Sequence, residues 1–185
     1  MFGLLCEDRS DLNTLQVLIR RLTRGNMPIK GKGFSGSGEL YRKGPQYIAL
    51  LADLGVTNFL VCQDSDGQDP RAIEERIHSR ILKQCGFRET SLALVPVEEM
   101  EAWILADLPA VTNVISAWRP TKAIANPSAV SSPKEELIRL SRDERKRDRY
   151  FPPMHNEKVA NFLDLELVAD KCNSFATMRD FVQSS

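Results

Sequence analysis

Three short apolar stretches of this chain end abruptly in acid. "FGLLC" (Phe2 to Cys6) runs into Glu7 and Asp8, "TNFLVC" (Thr57 to Cys62) into Asp64 and Asp66, and "SLALVPV" (Ser91 to Val97) into Glu98, Glu99 and Glu101. Short runs that are apolar throughout suit strands buried on both faces. Between them, apolar residues recur at helical spacing: Leu12, Leu15, Leu18, Ile19 and Leu22, then Ile48, Leu51 and Leu54, then Ile73, Ile77 and Ile81. Strands alternating with helices predict βαβ units and an α/β fold built on a parallel sheet flanked by helices. Parallel strands all point one way, so their carboxyl ends share one edge, and ligands bind there. The acids are therefore expected to meet.

Local signals set the boundaries. Ser10 is expected to cap the first helix and Gly25 to end it. The glycine-rich "GNMPIKGKGFSGSGEL" reads as a loop with a short strand at Pro28 to Lys30, and it lacks the lysine and hydroxyl residue that would close a phosphate-binding P-loop. Pro45 is expected to start the second helix, and Asp69-Pro70 to cap and start the third. Past Pro109 the strand pattern disappears. Ser132-Pro133 starts a further helix, Pro152-Pro153 is expected to break the chain, and helices are expected from Glu157 and Ser174. The predicted organisation is an α/β core over residues 1–107 and a helical C-terminal part over 108–185 packed on it.

Composition excludes several classes. With 185 residues, 42% of them hydrophobic and 27% charged, the chain suits a globular fold with a sizeable core. No apolar run approaches the roughly 18–20 residues that span a bilayer, and "MFGLLCEDRSD" has no basic region typical of a signal peptide, so a cytoplasmic protein with no membrane partner is expected. Four scattered cysteines (Cys6, Cys62, Cys85, Cys172) lack metal-ligand spacing and read as small buried hydrophobes. The zero net charge hides an asymmetry: Val17 to Lys43 carries seven basic residues and one acid, Glu39. Solvated surface is the plain reading of that segment.

Extended backbone would place Asp64 and Asp66 on one face. On a helix, Glu98 and Glu101 would share a face three residues apart, with Met100, Trp103 and Ile104 on the apolar side. Two like charges ~4 Å apart repel by about 4 kcal/mol at an effective dielectric of ~20. A crevice holding several of them needs a cation or protons. Hard oxygen ligands without histidine or thiolate suit Mg²⁺ or Mn²⁺. Simpler roles are expected for Asp69 as a cap and for Asp8 and Glu99 as solvent-facing acids. Asp11 can equally complement the first turn of its helix. His78 and His155 have no partners at motif spacing.

Glu7 after the first strand and Asp64/Asp66 after a central one resemble the Toprim fold, the metal-binding domain of topoisomerases, primases and the overcoming-lysogenisation-defect (OLD) nucleases. The spacing of Glu7 and Asp11 resembles the OLD-type variant. "LVPVEEMEAWILAD", "SSPKEELIRL", "FPPMHNEK" and "CNSFATMRDF" resemble an uncharacterised bacterial Toprim-like family associated with phage defence, and that similarity covers nearly the whole chain. One departure is Asp8, where most Toprim chains have glycine after the glutamate. The resemblance implies metal-dependent cleavage of nucleic-acid phosphodiesters, DNA or RNA, with Glu7 as general acid or base and Asp64 and Asp66 as Mg²⁺ or Mn²⁺ ligands. It further implies that Asp11 and Glu101 complete the coordination, and that Arg20, Arg24, Lys30 and Lys32 hold the nucleic-acid backbone. OLD-type nucleases also use a late lysine; Lys122 and Lys134 both qualify by position.

Other classes fit less well. A phospho-acceptor receiver domain needs a hydroxyl residue and then a lysine after its later strands, where this chain has Pro96, Val97 and glutamates. A haloacid-dehalogenase-type phosphatase places its D-x-D after the first strand. A non-catalytic Toprim-like module that binds metal, or a partner such as an ATPase of a defence complex, differs from the nuclease only in lacking EDTA-sensitive cleavage.

Overall fold

The computed structural model describes residues 1–87 and 90–185. Its centre is a parallel four-stranded sheet of β1 (Phe2–Cys6), β2 (Ile29–Gly33), β3 (Asn58–Cys62) and β4 (Ser91–Leu94), in the order β2-β1-β3-β4. Cys6 stands in register with Gly33 on one side and Cys62 on the other, and Cys62 with Leu94, so the four strands end level. All five residues of β1 are buried, as a central strand covered on both faces requires. β2 is an edge strand, and its Lys30 and Lys32 are exposed. Charge at an edge discourages pairing with other chains.

Connectivity decides where the helices go. The chain leaves β1 through α1 (Arg9–Leu22) to β2, then doubles back over β1 through α2 (Ser37–Asp53) to β3. Right-handed crossovers in opposite directions put α1 on one face and α2 on the other. The reversal lies between β1 and β3, the topological switch point of an open α/β sheet. α3 (Pro70–Ile77) continues through a π-helical turn (His78–Leu82) into α4 (Lys83–Cys85) and leads to β4.

The strands alternate between two cores. Leu5, Phe59, Val61 and Ala93 pack with Leu40, Ile48 and Leu51 of α2 and Ile73, Ile77 and Ile81 beyond β3. Phe2, Leu4, Cys6, Leu60, Cys62 and Leu94 face the other way, toward Leu12, Leu15, Leu18 and Ile19 of α1. That second core is closed by the C-terminal region, which is helical: α5 (Glu101–Ala106), α6 (Pro133–Leu140), α7 (Pro152–Ala160), α8 (Leu165–Lys171) and α9 (Asn173–Ser184), with 3₁₀ turns at Leu108–Asn113 and Pro127–Ala129. Trp103 of α5 meets Phe175 of α9 edge-on, with ring centroids 5.2 Å apart. No described helix is long and apolar enough to cross a membrane.

Several local expectations are corrected. α1 is capped by Asp8, whose Oδ1 accepts the Asp11 N–H at 2.9 Å; Ser10 already lies inside the helix. α2 starts at Ser37, and Pro45 sits in its interior. A mid-helix proline costs ~3 kcal/mol, but Leu40, Gly44, Ile48 and Leu51 form one buried stripe that spans it, and packing wins. β2 begins and ends later than Pro28 to Lys30, and β4 stops at Leu94. Pro152 starts α7 and breaks nothing, because proline is favourable in a first turn.

Candidate functional site

The carboxyl ends of β1 and β3 project into the switch point, and the turn after β4 joins them. Gly33 makes the first of these ends possible: a Cβ there would collide with the Asp8 backbone. The Gly36 N–H also donates to the Glu7 carbonyl at 2.9 Å, so the glycine-rich segment braces the Glu7 loop. Beyond the sheet the β3 and β4 loops stay stitched together. Ser65 N–H donates to the Pro96 carbonyl at 3.1 Å, Asp66 N–H to the Glu98 carbonyl at 3.0 Å, and Glu98 N–H to Ser65 Oγ at 2.7 Å. Ser65 is fully buried in this seam.

The acids divide by depth. Asp64 is half-buried in the crevice, its Oδ1 accepting the Met100 N–H at 3.1 Å. Burial pushes its pKa well up, and the charges of Asp11, Glu101, Asp66 and Glu7 push it further. Asp11 is raised to about 8 by burial, then by Asp8, Glu101 and Glu7, against the opposing charge of Lys134. Glu101, only 7% exposed, is raised by burial and held back by a hydrogen bond from Asn156 and by Lys134. Glu7, half-buried, is raised to about 7 by burial and then by Asp66 and Asp8. These mutual effects bring Glu7, Asp11, Asp64 and Glu101 into one electrostatic cluster.

Asp66 and Glu98 behave differently from expectation. Asp66 is exposed and left-handed (φ 45°), so it does not continue the extended run that would align it with Asp64. With Gly67 (φ 75°) it forms a tight turn closed by Gln68 N–H on the Ser65 carbonyl. Glu98 is also left-handed (φ 59°) and precedes α5, so it shares no helical face with Glu101. A non-glycine residue in this region costs about 1–2 kcal/mol, and two such residues meet at one seam. Asp8 is a cap as well as exposed, and Glu99 is half-buried, its Oε2 accepting the Lys134 N–H at 2.8 Å at the start of α6.

The C-terminal helices supply residues that no local spacing signals. Asn156 of α7 is buried, donates to Glu101 Oε1 at 3.0 Å and accepts from the Tyr150 hydroxyl at 2.9 Å. Burial and the Glu101 charge raise the Tyr150 pKa. Of the two lysine candidates, Lys134 faces the cluster, acting on Asp11, Glu101 and Glu99, whereas Lys122 lines a separate pocket with Arg119, Arg139 and Arg142. Within "EAWILAD", Glu101 reaches the site, Trp103 is core, and Asp107 accepts the Asp164 N–H at 2.8 Å, tying down the start of α8. His155 serves its own helix, its Nδ1 accepting the Phe151 N–H at 2.9 Å.

The remaining candidates lie apart. Arg20 and Arg24 are exposed at the far end of α1, a helix of 14 residues that spans about 21 Å at ~1.5 Å per residue. Lys30 and Lys32 project from the β2 edge. Among the described residues, no group of three or more His, Cys, Asp or Glu side chains stands close enough to hold one metal ion. The carboxylates share a field but not a coordination sphere.

No curated protein and no solved structure matches the chain. A family model described as a domain of unknown function, DUF4276, matches residues 6–183, from the last residue of β1 to the last turns of α9. The acidic edge of the sheet, β2 to β4 and the helices that cover them fall within that match, and the chain belongs to the DUF4276 family.

Proposed function

We propose that the chain is a Mg²⁺- or Mn²⁺-dependent nuclease or nicking enzyme acting on nucleic-acid phosphodiesters in the cytoplasm, in phage defence. One observation carries the chemistry: carboxylates from the ends of β1 and β3 and from α5 meet at the switch point, where burial and mutual repulsion oppose their ionisation. Such a cluster is neutralised by protons or by a cation. The donor set is all hard oxygen, which fits a hard divalent ion. Asp64 and Asp66, with Asp11 and Glu101, would hold it, and their side chains would turn inward to do so. The defence role rests on the resemblance of the "EAWILAD" and "FPPMHNEK" elements.

A bound cation would supply a Lewis acid that polarises a phosphate oxygen and makes water acidic. The chain's own residues carry the other tasks. Glu7, with its pKa near 7, can take or release a proton at its carboxylate around neutral pH. The Asn156 hydrogen bond holds the Glu101 carboxylate in one orientation and favours its charged form. Lys134 offsets the inner negative charge and offers a cation to a phosphate.

Purified protein incubated with supercoiled plasmid, single-stranded DNA and RNA in Mn²⁺ tests the reading. Cleavage that stops in EDTA and is lost in Asp64→Asn is the expected result. A contaminating nuclease would survive that substitution. The second reading is a non-catalytic module that binds a metal or an ATPase partner; among the described residues no three carboxylates converge on one ion, so the edge is not preset for two-metal cleavage. Absence of cleavage together with a Mn²⁺-dependent rise in melting temperature would select it.

A further inference from the structure

A groove of about 560 Å³ opens beside the acidic edge, lined by Gly38, Tyr41, Arg42, Pro45, Gln46 and Arg80. Both of its walls are irregular helices. Pro45 interrupts the hydrogen-bond ladder of α2, and Arg80 lies in the π-helical turn His78–Leu82. The walls are held close at Gly44, where even an added Cβ would sit 3.4 Å from Ile81 Cδ1.

The groove is basic, and its cations are not consumed by the fold. The Arg80 guanidinium lies over the Tyr41 ring, 5.9 Å from its centroid. Stacking of that kind orients the guanidinium while leaving its in-plane N–H donors free for a planar or tetrahedral oxyanion. Arg42 and Arg80 are exposed, and neither takes part in an ion pair among the described residues. The nearby acid Glu39 is already paired with Lys43 at 2.5 Å. Tyr41 connects this surface to the chemistry. Its ring lines the groove, while its hydroxyl donates to Gln63 Oε1 at 2.5 Å, one residue before Asp64.

We propose that this groove is the track for one strand of the nucleic acid, with Arg42 and Arg80 holding phosphates on either side and Tyr41 leading the strand to Asp64. The proposal rests on the phosphodiester reading of the carboxylate site, and it replaces the remote Arg20 and Arg24 as the principal grip on the phosphate backbone.

The test is anisotropy of a fluorescein-labelled single-stranded oligothymidylate, with oligouridylate in parallel, in EDTA so that nothing is cut. Arg42→Ala with Arg80→Ala should weaken binding about tenfold or more and reduce the slope of log K against log salt by roughly 1.4, at ~0.7 for each single-strand phosphate that is no longer neutralised. Arg20→Ala with Arg24→Ala removes the same charge and should leave affinity within about twofold of the parent. Equal weakening in the two pairs would mean undirected charge attraction and overturn the groove, as would no binding by the parent. Should the alanine pair melt early, Arg42→Gln and Arg80→Gln are compared singly, and parental affinity in both overturns the proposal. Failure of the catalytic reading looks different: the oligonucleotide binds through Arg42 and Arg80 but is never cut in Mn²⁺.

Discussion

Asp64 and Asp66 are two residues apart and occupy different worlds. Asp64 accepts a backbone N–H under α5, in the field of Asp11 and Glu101, and burial drives its pKa up. Asp66 stands exposed on a left-handed turn. Glu101 and Glu98, three residues apart, also part: Glu101 is buried on α5, and Glu98 is half-buried and left-handed before it. Acidic sequence alone therefore does not make an acidic site; what covers each carboxylate decides whether its charge is expensive. The inner acids are those under the C-terminal helices, and the outer ones are those on the β3–β4 seam.

The largest expected effect tests whether a proton donor stands between the two groups. Glu7→Gln keeps shape but cannot titrate, and turnover should fall by about 10²–10⁴ while the Mn²⁺-induced rise in melting temperature persists. Turnover within a few fold of the parent would remove Glu7 from the chemistry, and loss of the Mn²⁺ response would make it a ligand instead.

Ligand identity comes next in size. Saturation at about 100-fold above Kd is worth ~2.7 kcal/mol, or roughly 5–11 °C for a chain of this size. Asp64→Asn should abolish that gain and Asp66→Asn should reduce it. A full response in Asp66→Asn would confine the cation to the inner acids, and a full response in both variants would put it elsewhere.

Asn156→Leu tests how the inner group is held. It strands the buried Glu101 carboxylate and the Tyr150 hydroxyl without partners, which should cost about 2 kcal/mol and lower the melting temperature by roughly 4–8 °C. A parental melting curve would show that the pair contributes nothing.

The pH dependence sets the two groups further apart. Glu7 and Asp11 are raised to about 7 and about 8 from ordinary values of 4.5 and 3.8, so the folded chain keeps protons that the unfolded chain releases. The stability this confers is fully present below about pH 4 and is lost as pH rises through 7 to 8, with a slope of at most ~1.4 kcal/mol per pH unit per proton. In EDTA the melting temperature should therefore be higher at pH 5 than at pH 8, and Asp11→Asn should flatten the profile. A metal needs the deprotonated forms, so the Mn²⁺ gain should be larger at pH 8. A rise in EDTA stability toward pH 8 would contradict the inner-group geometry. The smallest effect belongs to the outer group: Asp66→Asn, which tolerates a left-handed backbone, should change metal-free stability by less than about 0.5 kcal/mol.

Much of the scaffold could be read directly from residue order. Strands buried on both faces must be apolar throughout, so "FGLLC" and "NFLVC" announce β1 and β3, and the helical repeats between strands announce parallel crossovers. Asp69-Pro70 marks the start of α3 because both cap chemistry and proline geometry act within one turn. Pro45 misleads for the opposite reason: the stripe from Leu40 to Leu51 gains its energy from a sheet that local rules do not see.

Residue order alone dictates the α/β alternation, the parallel sheet and the delivery of Glu7 and Asp64 to its carboxyl edge, because burial and backbone direction there follow from neighbouring residues. Tertiary packing was needed to separate Asp64 from Asp66, to choose Lys134 over Lys122, and to set Asn156 against Glu101 across 55 residues of chain. Those outcomes depend on desolvation and charge at short range in space, and the C-terminal helices that impose them are distant in sequence.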